Sequence, residues 1–389
     1  MTYLRVGPFP LVFLQNRIYI IFMKKLIIFM CALLSAATLS AQTLNVLIGK
    51  TKTAEITFLE DYAIIIDDHY YGPFSKETSL KAEMFGTKAV RFWIKYTEEG
   101  QNKQRDFGYT QSKIKVVRAF KDGLFSSKIV DPGKTKSKKL PKKTISLTEE
   151  AKKTTPFFRY KNPDFSDWME FTGPLTLMAR EQSKTHFYVI ETIPLENYLV
   201  HVTNCEMRIA NNIEAYKAQS ILARTFVFNK VLERLDSKNK NSKNWWDFQL
   251  LPDERDQAYI CKMRVKNNTL PSQSVKKAVE ETKGKILLDK NNQAIEIHYC
   301  AYCGNCSYCS LTNHCKTKNG MGSCQNGIAY YTTKKGYSYE QVLKKYHPEA
   351  RIATYQERNN LSLNLDNLQE QEELENNLIE AENRLKQMI

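Results

Sequence analysis

Long apolar runs are almost missing from this chain of 389 residues. One exists, near the N-terminus, and mean hydropathy is low at −0.48, which excludes a polytopic membrane protein. Glycine (15) and proline (12) are scarce, far below a collagen-like repeat, while 42% apolar residues are too many for a wholly disordered chain. Acid is also in deficit, 42 Asp+Glu against 57 Lys+Arg. What remains is enough apolar material for one large domain or two to three small ones.

The basic excess is concentrated in the middle. Residues 1–41 carry +4 and the stretch from Tyr355 onward −5, leaving +16 between them. Such a surplus favours an anionic partner: nucleic acid, an acidic lipid surface or an anionic cell-wall polymer. The N-terminus narrows the choice. Lys24-Lys25, the apolar run Leu26 to Leu34 and the small residues Ser35 to Ala41 follow the order of a secretory signal, with cleavage expected after Ala41 or Ala37. Met23 stands where such a signal begins, so residues 1–22 read as an upstream extension. The competing reading is an uncleaved anchor helix from Ile18 to Leu39, broken by the two lysines. Export to the periplasm or cell envelope is therefore expected, and nucleic acid is not an expected partner.

Export governs how cysteine is read. Setting aside Cys31, eight remain: Cys205, Cys261, Cys300, Cys303, Cys306, Cys309, Cys315 and Cys324. An even number in an oxidising compartment suggests disulfides. Four thiolates of the Cys300–Cys324 cluster, or a set including His298 or His314, would also suit tetrahedral zinc, but disulfides are the preferred reading and no cofactor is expected.

Alternating segments at Leu44–Ile48, Ala63–Ile66, Val90–Ile94 and Ile114–Val117 predict a β-rich subdomain over 42–130. A linker or long loop is expected over 131–155, where Lys134, Lys136, Lys138, Lys139, Lys142 and Lys143 crowd together. Strand signals resume at Phe171–Met178 and His186–Ile190. Ala215, Ala218, Leu222, Phe226 and Asn229 then recur at helical spacing, and a second helix from Ser274 to Lys283 stops at Gly284. Lys285–Leu288, a turn at 289–292 and Gln293–Tyr299 predict a hairpin. The acidic tail, 355–389, has coiled-coil spacing over two heptads and is expected to form a short helix capable of docking or self-association. The fold class expected is α+β, with a mixed α/β domain at 156–354.

Within that domain several ordered blocks resemble the SpoIID/LytB family, the stage II sporulation protein D and amidase-enhancer group. They are Phe171-Thr172-Gly173-Pro174-Leu175, Ile193-Pro194-Leu195-Glu196-Asn197-Tyr198-Leu199, Asn204-Cys205-Glu206-Met207, and the run Glu214 to Phe226. Gln257-Ala258-Tyr259, Ala278 to Gly284, Asn319 to Gly327 and Tyr346-His347-Pro348 continue it downstream. Two loop histidines of the family pattern are replaced, by Asn319 and Cys300.

The resemblance implies a lytic transglycosylase acting on peptidoglycan glycan strands already stripped of stem peptides by a cell-wall amidase, which is a possible partner. Glu206 takes the place of the catalytic acid. One carboxyl suffices: it protonates the leaving glycosidic oxygen, then helps the sugar's own primary hydroxyl close onto the anomeric carbon. A partly apolar cleft suits such an acid, and Met207 and Ile209 stand nearby. Lys217, Gln219, Arg224, Gln257, Tyr259, Gly320, Gly322 and Gln325 are the expected substrate-binding residues. Each has a plainer reading, Arg224 as a helix-surface ion pair and Tyr259 as core. Cys205, placed where the family has Ser, is expected to bond to a cysteine of the 300–324 cluster across the cleft. The alternative function is a non-catalytic peptidoglycan-binding or amidase-enhancing protein, which the replaced histidines favour. A cysteine-rich envelope scaffold is a third.

Overall fold

The computed structural model describes residues 43–67, 69–119, 129–140, 155–161, 168–180, 183–207, 211–235, 248–261, 271–301 and 322–354. The expected signal peptide, the tail helix, Ile209, His314, Asn319, Gly320 and the cysteines at 303, 306, 309 and 315 lie outside them. Among the described residues no helix is long and apolar enough to cross a membrane.

The first half is strand after strand: β1 (Thr43–Thr51), β2 (Thr53–Phe58), β3 (Tyr62–Ile66), β4 (His69–Phe74), β5 (Ser79–Phe85), β6 (Ala89–Glu98), β7 (Gln101–Thr110) and β8 (Ile114–Arg118). Two-residue β9 (Lys138–Lys139) follows, then β10 (Phe158–Tyr160), β11 (Met169–Phe171), β12 (Leu175–Ala179) and β13 (Phe187–Pro194). They form a seven-stranded sheet, β1-β13-β12-β8-β3-β4-β9, and a six-stranded one, β11-β10-β2-β5-β6-β7. In β2 the alternation Ala54, Ile56, Phe58 turns every second side chain inward. These meet Val46, Ile64, Val116 and Leu177 of the other sheet in one apolar core.

Three expectations are corrected here. The boundary expected between 42–130 and 156–354 runs through both sheets, because β1 pairs with β13 and β2 with β10. The core needs both stretches to cover its two faces. Lys138 and Lys139 belong to an edge strand paired with β4, where their side chains stay exposed, so this part of the lysine-rich stretch is sheet margin rather than linker. The strand signals expected over Phe171–Met178 belong to two strands in different sheets, divided at Gly173-Pro174. A Cβ on Gly173 would collide with the Thr192 carbonyl oxygen, so only glycine lets the chain cross there.

The second half is helical. Strand β13 runs into α1 (Leu195–Glu206), with Pro194 at its N-cap, and α2 (Ile213–Leu235) follows. Next come α3 (Gln273–Glu281), β14 (Lys285–Leu288), β15 (His298–Cys300), β16 (Gly322–Cys324), α4 (Gln325–Lys334), α5 (Tyr339–Tyr346) and β17 (Arg351–Thr354). Ser272 caps α3 through its side chain, Ser338 and Gln341 form a reciprocal capping box on α5, and Gly284 after α3 has φ +74°. The expected hairpin at 285–299 is only begun: Ile295 N–H donates to the Leu287 carbonyl, but β14 pairs along its length with β17, and β15 pairs in parallel with β16. Helix α2 is shared between two cores. Ala223, Val227 and Val231 join the core between the sheets, whereas Ala215, Ala218 and Leu222 join a second one with Val275, Ile328, Val342 and Leu343.

Candidate functional site

Glu206 is the last residue of α1, and it sits between the two cores: Val202 of the same helix belongs to one, Met207 to the other. Its side chain is half-buried. One carboxylate oxygen, Oε1, accepts the Ala258 backbone N–H at 2.7 Å, and Oε2 accepts from Nε2 of Gln325 at 3.0 Å. Both are charge-assisted bonds from groups that the fold holds still. Gln325 is buried at the start of α4, and its Nε2 also lies 3.5 Å from Oε1 of Gln219, which is buried in α2. The Gln219 Nε2 atom is buried with no hydrogen-bond partner among the described residues, an orphaned donor beside the Gln325–Glu206 pair.

The segment 248–261 brings Ala258 to the carboxylate, and four ties fix it. Leu250 makes a bridge to Val46 of β1. Asp256 accepts two bonds from the Arg234 guanidinium of α2, both at 2.7 Å. Tyr259 is wholly buried, and its hydroxyl donates to Glu191 of β13 at 2.6 Å. Finally, Cys261 is disulfide-bonded to Cys205, with α-carbons 5.8 Å apart. This corrects the expected link from Cys205 to the 300–324 cluster. The bond does tie the residue before Glu206 to another chain segment, but that segment is the one that carries Ala258. Cys300 and Cys324 are register partners on β15 and β16, and the Cys324 sulfur accepts the Gly327 N–H as the N-cap of α4.

Gln257 forms the floor. Its Oε1 accepts from the Tyr198 hydroxyl at 3.0 Å, while Nε2 donates to the Ala223 carbonyl and the Tyr299 hydroxyl. Burial, followed by the nearby Glu206 carboxylate, holds the Tyr299 phenol well above its ordinary pKa. Burial raises Tyr198 as well, with Asp256, Tyr259 and Glu206 adding to it. Both phenols therefore keep their protons at neutral pH.

Two expected substrate-binding residues stand elsewhere. Arg224 is completely buried and makes a two-pronged pair with Glu196, at 3.0 and 2.6 Å, plus a bond to the Lys285 carbonyl. It is no surface ion pair, and its partners join α1, α2 and β14 rather than touching Glu206. Lys217 is bound to Glu214 and Glu281, each at 2.8 Å, and these pairs raise its pKa against the opposing cost of burial. Gly322 is buried in β16 opposite His298.

Sequence reasoning missed Glu191, Asp256, Tyr198, Tyr299 and the Ala258 N–H. An acid inside the apolar strand Val189–Ile193 was a signal for Glu191, which the backbone N–H groups of Thr172 and Gly173 satisfy at 3.0 Å. Nothing in a sequence marks a backbone N–H such as that of Ala258.

Comparison with known proteins bears on this region. Residues 183–288 match the SpoIID family model, described as a stage II sporulation protein. The chain is 33% identical over 113 residues to stage II sporulation protein D of Bacillus amyloliquefaciens, covering 28% of this chain and 31% of that one. It is 28% identical over 148 residues to stage II sporulation protein D of Bacillus subtilis strain 168, covering 38% of each chain. The matched stretches span about a third of the length of these relatives, and residues 183–288, which match the family model, include Glu206, Gln219 and Gln257.

Proposed function

We propose, from the match of residues 183–288 to the SpoIID family model and the likeness to two stage II sporulation proteins D, that this chain is an exported lytic transglycosylase that cleaves peptidoglycan glycan strands after an amidase has removed their stem peptides, with Glu206 as the acid. The observation that carries the reading is the setting of that carboxyl. Glu206 is half-buried, while Gln325, which donates to it, Gln219, which Gln325 also meets, and Gln257, next to Ala258, are buried, so one reactive group stands at the edge of a fixed polar network. A fixed network is what general acid catalysis asks of its surroundings, since the proton must leave along one direction.

In the protonated state Glu206 gives its proton to the leaving glycosidic oxygen as the anomeric C–O bond breaks. The carboxylate then draws the proton from the primary hydroxyl of the same sugar as that oxygen closes onto the anomeric carbon. The proton is returned and the product is a 1,6-anhydro sugar. Ala258 N–H and Gln325 Nε2 stabilise the carboxylate in between. The orphaned Gln219 donor suits an acyl oxygen of an N-acetyl group approaching the same place. The excess of base in the middle of the chain suits a substrate whose stripped strands are anionic.

The test is Glu206→Gln, which keeps size and hydrogen bonding and removes the transferable proton. Cleavage of stripped strands is expected to fall by about 100- to 10,000-fold with folding unchanged, and parent products are expected to carry anhydro-muramoyl ends. Reducing ends would identify a hydrolase instead. Equal behaviour of parent and variant would replace this reading with the non-catalytic binding or amidase-enhancing one.

A further inference from the structure

The N–H that Ala258 offers to Glu206 belongs to the peptide plane joining Gln257 to Ala258. Such a plane is rigid and trans, so its N–H and its C=O point in opposite directions, and whatever holds one aims the other. The Gln257 carbonyl accepts the Tyr259 N–H at 2.7 Å, while the Ala258 N–H reaches Oε1 of Glu206 at 2.7 Å. Ala258 carries only a methyl group and cannot fix the plane itself. Its direction is therefore set by the two flanking residues, Gln257 and Tyr259.

Gln257 is tied to Tyr198, Ala223 and Tyr299. Tyr259 is held from another quarter. Its ring stacks on Tyr198, with centroids 5.1 Å apart and planes at 17°, and meets His201 edge-on at 5.6 Å. Stacking fixes the plane of a ring but not its position within that plane. The hydroxyl supplies the missing restraint by donating to Oε2 of Glu191 at 2.6 Å. Glu191 is completely buried in β13, and its Oε1 accepts the N–H groups of Thr172 and Gly173, both at 3.0 Å, where the chain crosses from one sheet to the other. A buried carboxylate is costly to keep, and packing alone would be served as well by an apolar side chain. What the charge adds is strength: the bonds that it accepts are about twice as strong as neutral ones.

We propose that Glu191 is a positioning residue for Glu206: through the Tyr259 hydroxyl it holds the Gln257–Ala258 peptide at the angle that points its N–H at the carboxylate, while lying too deep to touch substrate itself. The catalytic consequence rests on the transglycosylase reading above, but the aiming of the N–H does not. With Tyr259 free to slide, the plane turns and Glu206 loses one of its two donors, leaving only Gln325 to steady the carboxylate once its proton has gone.

The experiment is Tyr259→Phe in the full chain, which removes the hydroxyl and keeps the ring on Tyr198. Two measurements read it. The Ala258 amide-proton resonance, identified by its upfield move in Glu206→Gln, is expected to move upfield in Tyr259→Phe as well, because its bond to the carboxylate lengthens. On stripped glycan strands, well below the melting temperature, kcat is expected to fall about tenfold or more while KM stays within about twofold, the split expected when a donor to the acid is misaimed. Ile94→Val, in β6 of the other sheet, loses core packing but none of these hydrogen bonds; it is expected to lower Tm and leave resonance and kcat near those of the parent. Should Tyr259→Phe not fold, Glu191→Gln/Tyr259→Phe, which strands no charge, carries the same expectation. An unmoved resonance in the hydroxyl-less variant, an unchanged kcat beside a cleaving parent, or equal losses in Ile94→Val would overturn the proposal. A parent protein that cuts no strand would count against the transglycosylase reading, and the resonance would still decide the positioning role.

Discussion

Breaking the Cys205–Cys261 bond is a perturbation whose size follows from where it lies in the chain. The two cysteines are 56 residues apart in sequence and enclose the end of α1, all of α2 and the segment carrying Ala258. Closing a loop of that length removes enough freedom from the unfolded chain to stabilise the fold by about 4 kcal/mol. Guanidinium denaturation is the assay, with three samples: oxidised parent, reduced parent, and Cys205→Ala/Cys261→Ala. The reduced parent keeps both sulfur atoms, so its difference from the oxidised form reports the cross-link without a change in packing. The oxidised parent is expected to be the most stable by about 4 kcal/mol, and the double variant to fall near or below the reduced parent. A reductant effect that persists in the double variant belongs to other cysteines. A second readout is catalytic: slackening the segment that presents Ala258 N–H should lower kcat on stripped glycan more than it raises KM. Oxidised parent and double variant within 1 kcal/mol of each other, about the scatter of such extrapolations, would refute the argument.

Other outcomes follow from the same contacts. Arg224→Met leaves the partly buried Glu196 carboxylate without its cation and is expected to cost about 3 kcal/mol, the low end for a buried pair, read by denaturant midpoint, with Glu196→Gln/Arg224→Met recovering part of the loss. Burial lowers the His347 pKa to about 4, so between pH 6.5 and 4 the unfolded chain binds more protons than the folded one. Stability from this group is complete above pH 6.5 and falls as the medium is acidified, by about 3 kcal/mol in all, and His347→Gln should flatten that part of the profile. Gly173→Ala, which drives a methyl group into the Thr192 carbonyl, is expected to cost more than about 1 kcal/mol and to disturb the Glu191 bonds, visible as a lowered Tm.

Much of the architecture was legible because it rests on local pattern. The alternation in β1, β3, β6 and β8, the 3.6-residue spacing of α2 and the glycine after α3 are all written in neighbouring residues. Pairing was less legible. The turn after Leu288 predicted a hairpin, but β17, more than sixty residues downstream, offers a full ladder where 293–299 offers only its first rungs. For the site, Glu206, Gln219, Gln257 and Gln325 were found by motif and are brought together. Arg224 and Lys217 belong to the same motif helix; spacing reveals the Lys217–Glu214 pair three residues apart, but Glu281, the second partner of Lys217, and Glu196, the partner of Arg224, come from other helices, and no spacing rule reveals them. The same reason misdirected Cys205, whose partner was set by the path of 248–261 across α1.

The position of β1 outside β13 has a kinetic consequence. Thr43 faces Pro194 and Thr51 faces Phe187, so the first strand to be synthesised waits for the thirteenth before its hydrogen bonds can close. Until then β1 is an apolar ribbon with both edges open, and the helix that presents Glu206 has no strand to grow from. Such long-range closure makes assembly slow and leaves the nascent chain prone to pairing with its neighbours. A temporary companion that covers residues 43–51 should therefore speed recovery of the folded protein more than one that covers any of the helices.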